Sequence, residues 1–582
     1  MKQFLKFVIA TVIGLVLFIG IIFIVLASSV KNISKEKPIV VQATSVLHLK
    51  LNYAIRDKTS DNPFEQLAGL SPDMSVPVGL KDILAQIKRA KDDDKIKGIF
   101  LDLSAVGTGY AKTSEIRDAI TDFKDSGKPV HAYAENYTNK SYYLATVADK
   151  IHMNPEGNLF FNGMSSGVMF YKDMLKKVGV EMQVIKRGKF KGAVEPFILD
   201  ELSEENKLQI QSYVGSIYEE MLKGISESRS IPSDSLKAIA DQFKVRNSKQ
   251  ALSYRMIDAV SFRDQVLSQM RSDMDLGDGD INFLAINKYR KSEPQKSSSD
   301  KIAVVFAEGS IVSGGGEEYE VGSDRFAKAL KNAREDENVK AVVLRVNSPG
   351  GSAQASEVIL REAILLNKEK PLIVSMGDVA ASGGYYISCL ADSIVAKPNT
   401  ITGSIGVFGM IPNAEGLFDK MGLHTEYVGT GEFSDFGRLD RAWNEKELNI
   451  IDQLVGEVYD KFLGHVAEGR GMTVEQVDEI GQGRVWTGEM AKERGLVDVL
   501  GGLDKAMEIA AYKAGLESYG VTSYPKDKDP FEKILEVFDM SVLSQKIIAK
   551  ELGSDYELYR KVKEIREIEG VQAILPYHID LN

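Results

Sequence analysis

Hydrophobic and polar positions along the chain fall into three regimes. Residues 7–27 form an uncharged, largely apolar run, long enough as one helix to cross a bilayer core of roughly 30 Å. From residue 46 onward, short β-branched runs such as 341–346 and 371–375 alternate with longer stretches of helical period such as 355–366. That rhythm predicts βαβ units, and therefore a largely parallel sheet covered by helices. Beyond residue 515 the chain becomes charged, and 539–570 reads as a mostly amphipathic helix.

The βαβ pattern is written twice. Lys95-Ile-Lys-Gly-Ile-Phe-Leu-Asp-Leu103 reads against Asn338-Val-Lys-Ala-Val-Val-Leu-Arg-Val346, which sets an offset of 243 residues. Tyr142 and Tyr385, Ala148 and Ala391, Pro155 and Pro398, and Gly179 and Gly422 all keep that offset. Self-similarity held in one register marks a duplicated unit. The polar stretch 291–300 links the copies, which then span 46–290 and 301–515, ordinary domain sizes. The expected organisation is α/β: a flank at 1–6, a transmembrane anchor at 7–27, a linker at 28–45, two tandem domains, and a helical tail at 516–582.

Composition narrows the function. The 582 residues carry 72 basic and 83 acidic side chains, a net charge of −11, the wrong sign for a protein that tracks a phosphate backbone. Nucleic acid is therefore not an expected partner. The single cysteine, Cys389, excludes an intrachain disulfide framework. A cleaved signal peptide competes with the anchor reading, but its apolar region is usually about 7 to 15 residues, and Leu26-Ala27-Ser28-Ser29 is a weak cleavage site. Lys2 and Lys6 before the run, against Lys31, Lys35 and Lys37 after it, leave its orientation undecided.

Duplication supplies an internal control: features of both copies belong to the fold, and features of one suggest specialisation. Copy two has Val346-Asn-Ser-Pro-Gly-Gly-Ser352 after a strand, where adjacent glycines can turn sharply and present backbone N–H groups to an anion. Copy one has Leu103-Ser-Ala-Val-Gly-Thr-Gly109 there. Farther on, Ala380-Ala-Ser-Gly-Gly-Tyr-Tyr386 leaves a strand and opens a helix, and Ser382 pairs with Asn139 of copy one. An isolated Ser-Gly-Gly is more often a helix N-cap beside packing glycines. A serine nucleophile also needs a base.

Histidine is the usual base, yet none of the six, His48, His131, His152, His424, His465 and His578, lies in a recognisable nucleophile–base motif. His131 and His152 fall in expected strands and read as structural. Lysine remains, provided burial lowers its pKa. Copy one contains Lys189-Phe-Lys-Gly-Ala-Val-Glu-Pro-Phe197, and the shared register sets Ser434 of copy two opposite Lys191. Copy one thus has a lysine without a serine, and copy two the serine without that lysine. One composite site would use both.

Together the anchor, the repeat, Asn347-Ser-Pro-Gly-Gly351, Ala381-Ser-Gly-Gly-Tyr-Tyr386, Thr402-Gly-Ser-Ile-Gly-Val407 and Lys191-Gly-Ala-Val-Glu-Pro-Phe197 resemble the long, tandem-repeat form of the bacterial signal peptide peptidase (SppA) family. That family belongs to the wider ClpP/crotonase-like superfamily, which shares the Gly-Gly strand exit. The resemblance implies a serine endopeptidase with Ser382 as nucleophile, Lys191 as general base and Ser404 orienting the lysine. N–H groups of Gly383 and of Gly350 or Gly351 are expected to hold the oxyanion. It implies no metal and no cofactor, hydrophobic peptide substrates including released signal peptides, a homotetramer, and a soluble part outside the cytoplasmic membrane. Ser382 and Lys191 are expected to meet between the repeats of one chain, although a contact between subunits fits the sequence equally well.

Other motifs carry less. Cys389 reads as packing, Gly314-Gly-Gly316 as a loop without the Lys-Ser/Thr of a phosphate cradle, and Asp92-Asp-Asp94 as a solvated run without calcium-loop spacing. Two alternatives stay open: a crotonase-like acyl-thioester enzyme with no use for Lys191, and a catalytically silent membrane scaffold.

Overall fold

The computed structural model describes residues 40–60, 77–292, 298–526 and 570–575, with Lys6, Phe7 and Gly14. The anchor expected at 7–27 lies outside these residues apart from Phe7 and Gly14, and most of the amphipathic stretch at 539–570 lies outside them too. No described helix is long and apolar enough to cross a membrane.

Each copy builds a mostly parallel sheet. In copy one the order is Ala259–Val260, Lys150–Met153, Val130–Ala134, Ile96–Asp102, Ser45–Leu49 and Asn282–Ala285, all parallel. In copy two the order is Val485–Thr487, Ile401–Gly403, Leu372–Ala381, Val339–Ser348, Lys301–Glu308 and Gly520–Tyr524, with Ser393–Ala396 and Val499–Leu500 branching from Leu372–Ala381. Only Val485–Thr487 runs antiparallel to its neighbour. Strands such as Lys301–Glu308 bury their whole interior because helices cover both faces, which explains their continuous apolar runs.

The helices repeat with the strands. Leu80–Asp92 and Ser323–Glu335, and likewise Tyr110–Lys124 and Ala353–Asn367, begin and end 243 residues apart. The long helices Glu204–Arg229 and Glu445–Arg470 stand 241 apart, so copy two has lost two residues between Gly422 and Glu445. The pairing of Lys191 with Ser434 is therefore not fixed by register, although no lysine lies between Lys420 and Lys446.

One expected boundary is corrected. The tail at 516–582 is not all helical, and copy two does not end at 515. Gly520–Tyr524 pairs with Lys301–Glu308 just as Asn282–Ala285 pairs with Ser45–Leu49. Its sequence, Gly-Val-Thr-Ser-Tyr, is too short and polar to announce a strand.

A third sheet joins the copies, in the order Val321–Gly322, Ile311–Val312, Gly350–Ser352, Val571–Ile574, Val407–Asn413 and Glu181–Arg187. Copy one supplies Glu181–Arg187, antiparallel to Val407–Asn413 from Arg187 opposite Val407 to Glu181 opposite Asn413. A buried ionic cluster makes a second junction. Arg345 of copy two, fully buried, donates to Asp57 at 2.8 Å and to Glu115 at 2.7 Å, both from copy one. Burial pushes the Asp57 carboxyl up, but Arg345 and Lys112 overcome this and hold it below its usual value.

Candidate active site

Two registers converge on one point. Ala381 pairs with Gly403, so the residues that follow, Ser382 and Ser404, leave adjacent strands side by side. Arg187 pairs with Val407, so the chain beyond Arg187 is carried back towards Ser404. Lys191 sits on that return. Its loop is fixed by Phe190 N–H donating to the Gln482 carbonyl at 2.9 Å and by Gln209 Nε2 donating to the Phe190 carbonyl at 3.0 Å.

Ser382, Ser404 and Lys191 are all fully buried. Lys191 Nζ lies 2.8 Å from Ser382 Oγ, 3.0 Å from Ser404 Oγ and 3.2 Å from the Ser404 carbonyl oxygen. Among the described residues no carboxylate forms an ion pair with it. Burial alone holds its pKa well below the usual lysine value, because the ammonium has lost its water and gained no counter-charge.

Ser382 is not the helix cap that an isolated Ser-Gly-Gly suggests. It stands at the N-cap position of the single turn Gly383–Tyr386 but makes no side-chain capping bond. Its φ is 55° and that of Ser404 is 52°. Left-handed backbone at a non-glycine residue costs about 1–3 kcal/mol and persists only where the surroundings enforce it. Here Ser382 N–H donates to the Gly403 carbonyl at 2.8 Å and Ser404 N–H to the Arg484 carbonyl at 2.7 Å.

The glycines form the opposite wall. Gly350 has φ 99°, and a Cβ added to it would stand 2.6 Å from the Gly383 nitrogen, so a side chain here would block the approach to that N–H. The Gly350 N–H donates to Ser348 Oγ at 3.2 Å. Ala193 and Val194, which follow Lys191, form an apolar cluster with Phe408 and Met410, and Phe197, Ile198 and Ile574 pack against it.

The histidines lie elsewhere. His131 and His152 stack 5.6 Å apart in the copy-one sheet, where burial holds both below the usual histidine pKa, His152 at about 4. Cys389 is buried, and burial pushes its thiol up to about 12. No cluster of His, Cys, Asp or Glu able to hold a metal occurs among the described residues.

Two features of the site escape the sequence reading. Gln209 bridges the Phe190 carbonyl and the Val485 N–H from inside the helix Glu204–Arg229. The duplication held a signal for it, since at the 241 offset copy two has Ile450. The other is the strand Val571–Ile574 beside the glycines, for which a lone short apolar stretch gave no signal.

Comparison with known proteins agrees with the duplication. The profile of Peptidase family S49 matches twice, at residues 122–277 and 364–517. The chain is 37% identical over 515 residues to Protease 4 of Salmonella typhi, covering 86% of this chain and 83% of that one. It is 39% identical over 443 residues to Protease 4 of Haemophilus influenzae, covering 74% and 72%. It is 30% identical over 510 residues to the chloroplastic serine protease SPPA of Arabidopsis thaliana, covering 85% and 74%.

Proposed function

Since the chain belongs to peptidase family S49 and is a serine protease, we propose that Ser382 is its nucleophile and Lys191 its general base. The acyl-thioester and silent-scaffold alternatives fall with that membership. The observation that carries the dyad is the buried Lys191 amine, 2.8 Å from Ser382 Oγ and without a counter-charge. A neutral amine has two N–H groups and one lone pair. Its three contacts match that inventory: the N–H groups donate to Ser404 Oγ and to the Ser404 carbonyl, and the lone pair receives the Ser382 O–H.

Lys191 takes the hydroxyl proton as Ser382 Oγ attacks the peptide carbonyl, then returns it to the leaving amine; water releases the acyl group by the same route. The Gly383 N–H is one oxyanion donor. Gly351 is the other, because the Gly350 N–H is already engaged by Ser348. Each such donor can contribute about 3 kcal/mol in the transition state.

The substrates are extended hydrophobic peptides, released signal peptides among them, which suits the apolar cluster of Ala193, Val194 and Phe408. Residues 7–27 anchor the enzyme with its soluble part outside the cytoplasmic membrane; their uncharged length and the family resemblance support this. The chain acts as a homotetramer, the number the family implies. The inter-copy ladder supports association. Its counterparts, 164–170 at 243 before 407–413 and 424–430 at 243 after 181–187, form no strand within the chain. They expose Met169, Tyr427 and Val428, and a neighbouring copy would pair them.

The test is hydrolysis of a fluorogenic hydrophobic peptide by the full chain in detergent, beside Ser382→Ala and Lys191→Ala, from about pH 6 to 10. Both variants should be folded and inactive. Normal turnover in either rejects the dyad.

A further inference from the structure

The residue that bears the buried amine is the middle of a tight turn. Gly192 N–H donates to the Phe190 carbonyl at 2.8 Å across Lys191, whose φ of −74° and ψ of 79° are those of an inverse γ-turn. Where the Lys191 side chain starts is therefore set by where the Phe190 carbonyl lies. Phe190 is held at both ends: its N–H donates to the Gln482 carbonyl at 2.9 Å, and its carbonyl accepts from Gln209 Nε2 at 3.0 Å.

Gln209 is one link of a polar chain whose members, Glu195, Asn206 and Gln209, are all buried. Ser203 donates to Glu195 through its N–H at 3.1 Å and its hydroxyl at 2.6 Å, and Asn206 Nδ2 donates to Glu195 Oε1 at 2.6 Å. Gln209 Nε2 donates to Asn206 Oδ1, and Val485 N–H donates to Gln209 Oε1 at 3.0 Å. The ends fix the order, because a carboxylate only accepts and a backbone N–H only donates, so each amide can face one way. At the far end Val485 pairs with Gly403, the residue before Ser404, and the Arg484 carbonyl takes the Ser404 N–H at 2.7 Å. The chain thus ties the lysine turn of copy one to the strand that places Ser404 in copy two.

Copy two lacks this chain. At the offset of 241 between the long helices, Asn206 corresponds to Glu447 and Gln209 to Ile450. Glu447 is buried against Arg441 of its own copy, at 2.6 Å, and an isoleucine side chain carries the connection no farther. Both copies tie the start of the long helix to the loop before it. Only the copy that supplies the lysine extends the tie into the other copy.

We propose that Glu195, Asn206 and Gln209 are positioning residues, which through the Phe190 carbonyl hold the Lys191 amine at the distance from Ser382 Oγ that proton transfer needs. The inference rests on the Ser382–Lys191 dyad proposed above. Among the described residues the amine itself hydrogen-bonds only to Ser382 and Ser404, so the three act on it through the turn. The charges packed beside the turn are Lys189 and Arg484, which lie 5.4 Å and 4.8 Å from the centre of the Phe190 ring, and Glu195, which Ser203 and Asn206 engage. Displacing the turn admits water to the amine, which eases its protonation and moves the acid limb of the rate to higher pH.

The experiment measures kcat, KM and the pH profile of kcat/KM, from about pH 5 to 10, for a fluorogenic hydrophobic peptide and the full chain in detergent, with folding followed by circular dichroism. Gln209→Met keeps the length of the side chain and removes its hydrogen bonds. It should lower kcat by about 10- to 100-fold, change KM by less than about threefold, and move the acid limb to higher pH. Gln209→Glu has the same shape but sets a carboxylate oxygen against the Phe190 carbonyl and Asn206 Oδ1, and should lower kcat further. Ser216→Ala removes a 3.0 Å hydrogen bond to Thr487 Oγ1, between the same helix and the same strand, and should leave all three quantities unchanged. Wild-type kcat and acid limb in the Gln209 variants, with Lys191→Ala inactive, overturn the inference and leave the dyad standing. A loss carried by KM alone, or an equal loss in Ser216→Ala, also overturns it, since packing of helix on strand would then explain the effect. Turnover by Lys191→Ala overturns both. Should Gln209→Glu fail to fold, Gln209→Met decides the matter alone.

Discussion

At the same point of the repeat, the two copies use a strand exit in opposite ways. In copy one the strand Val130–Ala134 stops early, and Thr138, with φ −91°, caps the helix Asn139–Ala145. Its Oγ1 accepts from Ser141 N–H at 3.3 Å, while its own N–H donates to Ser141 Oγ at 2.8 Å. Asn139, the counterpart of Ser382, is tied to the Asn162 carbonyl at 2.9 Å. In copy two the strand Leu372–Ala381 runs straight into Ser382, whose backbone is strained and whose hydroxyl caps nothing. One copy satisfies its local groups for stability, and the other leaves a hydroxyl available for chemistry. Duplication permits this division, because one copy can lack the proposed nucleophile while it supplies the proposed base.

The most severe break of that division removes one half of the dyad. Ser382→Ala and Lys191→Ala should each lower kcat by about 10⁴- to 10⁶-fold, and the double variant should be little worse, as for residues that act as a unit. Asn139→Ser placed in Ser382→Ala should recover nothing, since copy two has no lysine between Lys420 and Lys446, where a counterpart of Lys191 would fall. Steady-state turnover of a hydrophobic peptide reads all four; additive losses in the double variant would contradict a shared step.

Next comes the junction that holds the halves in register. Arg345→Met leaves Glu115 buried without its cation and Asp57 with only Lys112 nearby, and breaking such a pair costs about 3–5 kcal/mol. The counterpart position in copy one is Asp102, which pairs instead with Arg263 and His48 near the surface. Denaturant midpoints measure the loss, and a change under about 1 kcal/mol would show that the copies are held chiefly by the Val407–Asn413 ladder.

The lysine also leaves a pH signature in stability. Its folded pKa is depressed, so the native state binds fewer protons than the unfolded chain between that value and the unfolded lysine value of about 10.4. Wild type should gain stability as pH rises through that window, by about 1.4 kcal/mol for each unit of depression. The penalty is fully present below the window. Lys191→Met should flatten the rise, and an unchanged slope would mean that the amine is not desolvated in solution. Ser404→Ala is milder: it removes one of three contacts on Nζ and should cost about 10- to 100-fold in kcat with KM nearly unchanged.

Much of this was legible because the chain carries its own comparison. The offset of 243 exposed both domains, and the complementary loss of serine and lysine singled out Ser382 and Lys191, the pair proposed as the dyad, which the fold sets 2.8 Å apart. Ser404 came only from family resemblance; its position depends on Ala381 pairing with Gly403 across sequence-distant strands, which no local pattern reports. Gln209 was hidden inside an amphipathic helix, where one polar residue among apolar ones resembles noise until its partners Phe190 and Val485 are placed. Gly520–Tyr524 and Val571–Ile574 were missed for a related reason. Short added strands draw their stability from the edge they join, so their own sequences carry little signal.

The smallest expected effect tests the stability side of the comparison. Thr138→Ala removes the cap of Asn139–Ala145, which exposes the Ser141 N–H and should cost about 1 kcal/mol. Turnover should not change, because Thr138 touches neither the dyad nor the glycine wall. The matched substitution in copy two is Ala381→Thr. Ala381 is fully buried, and the added hydroxyl and methyl have no space there without shifting the strand that aims Ser382. That variant should lose activity as well as stability. If instead both substitutions lowered stability alone, the strand exits of the two copies would be equivalent in use, and the strained Ser382 backbone would be a feature of packing rather than of catalysis.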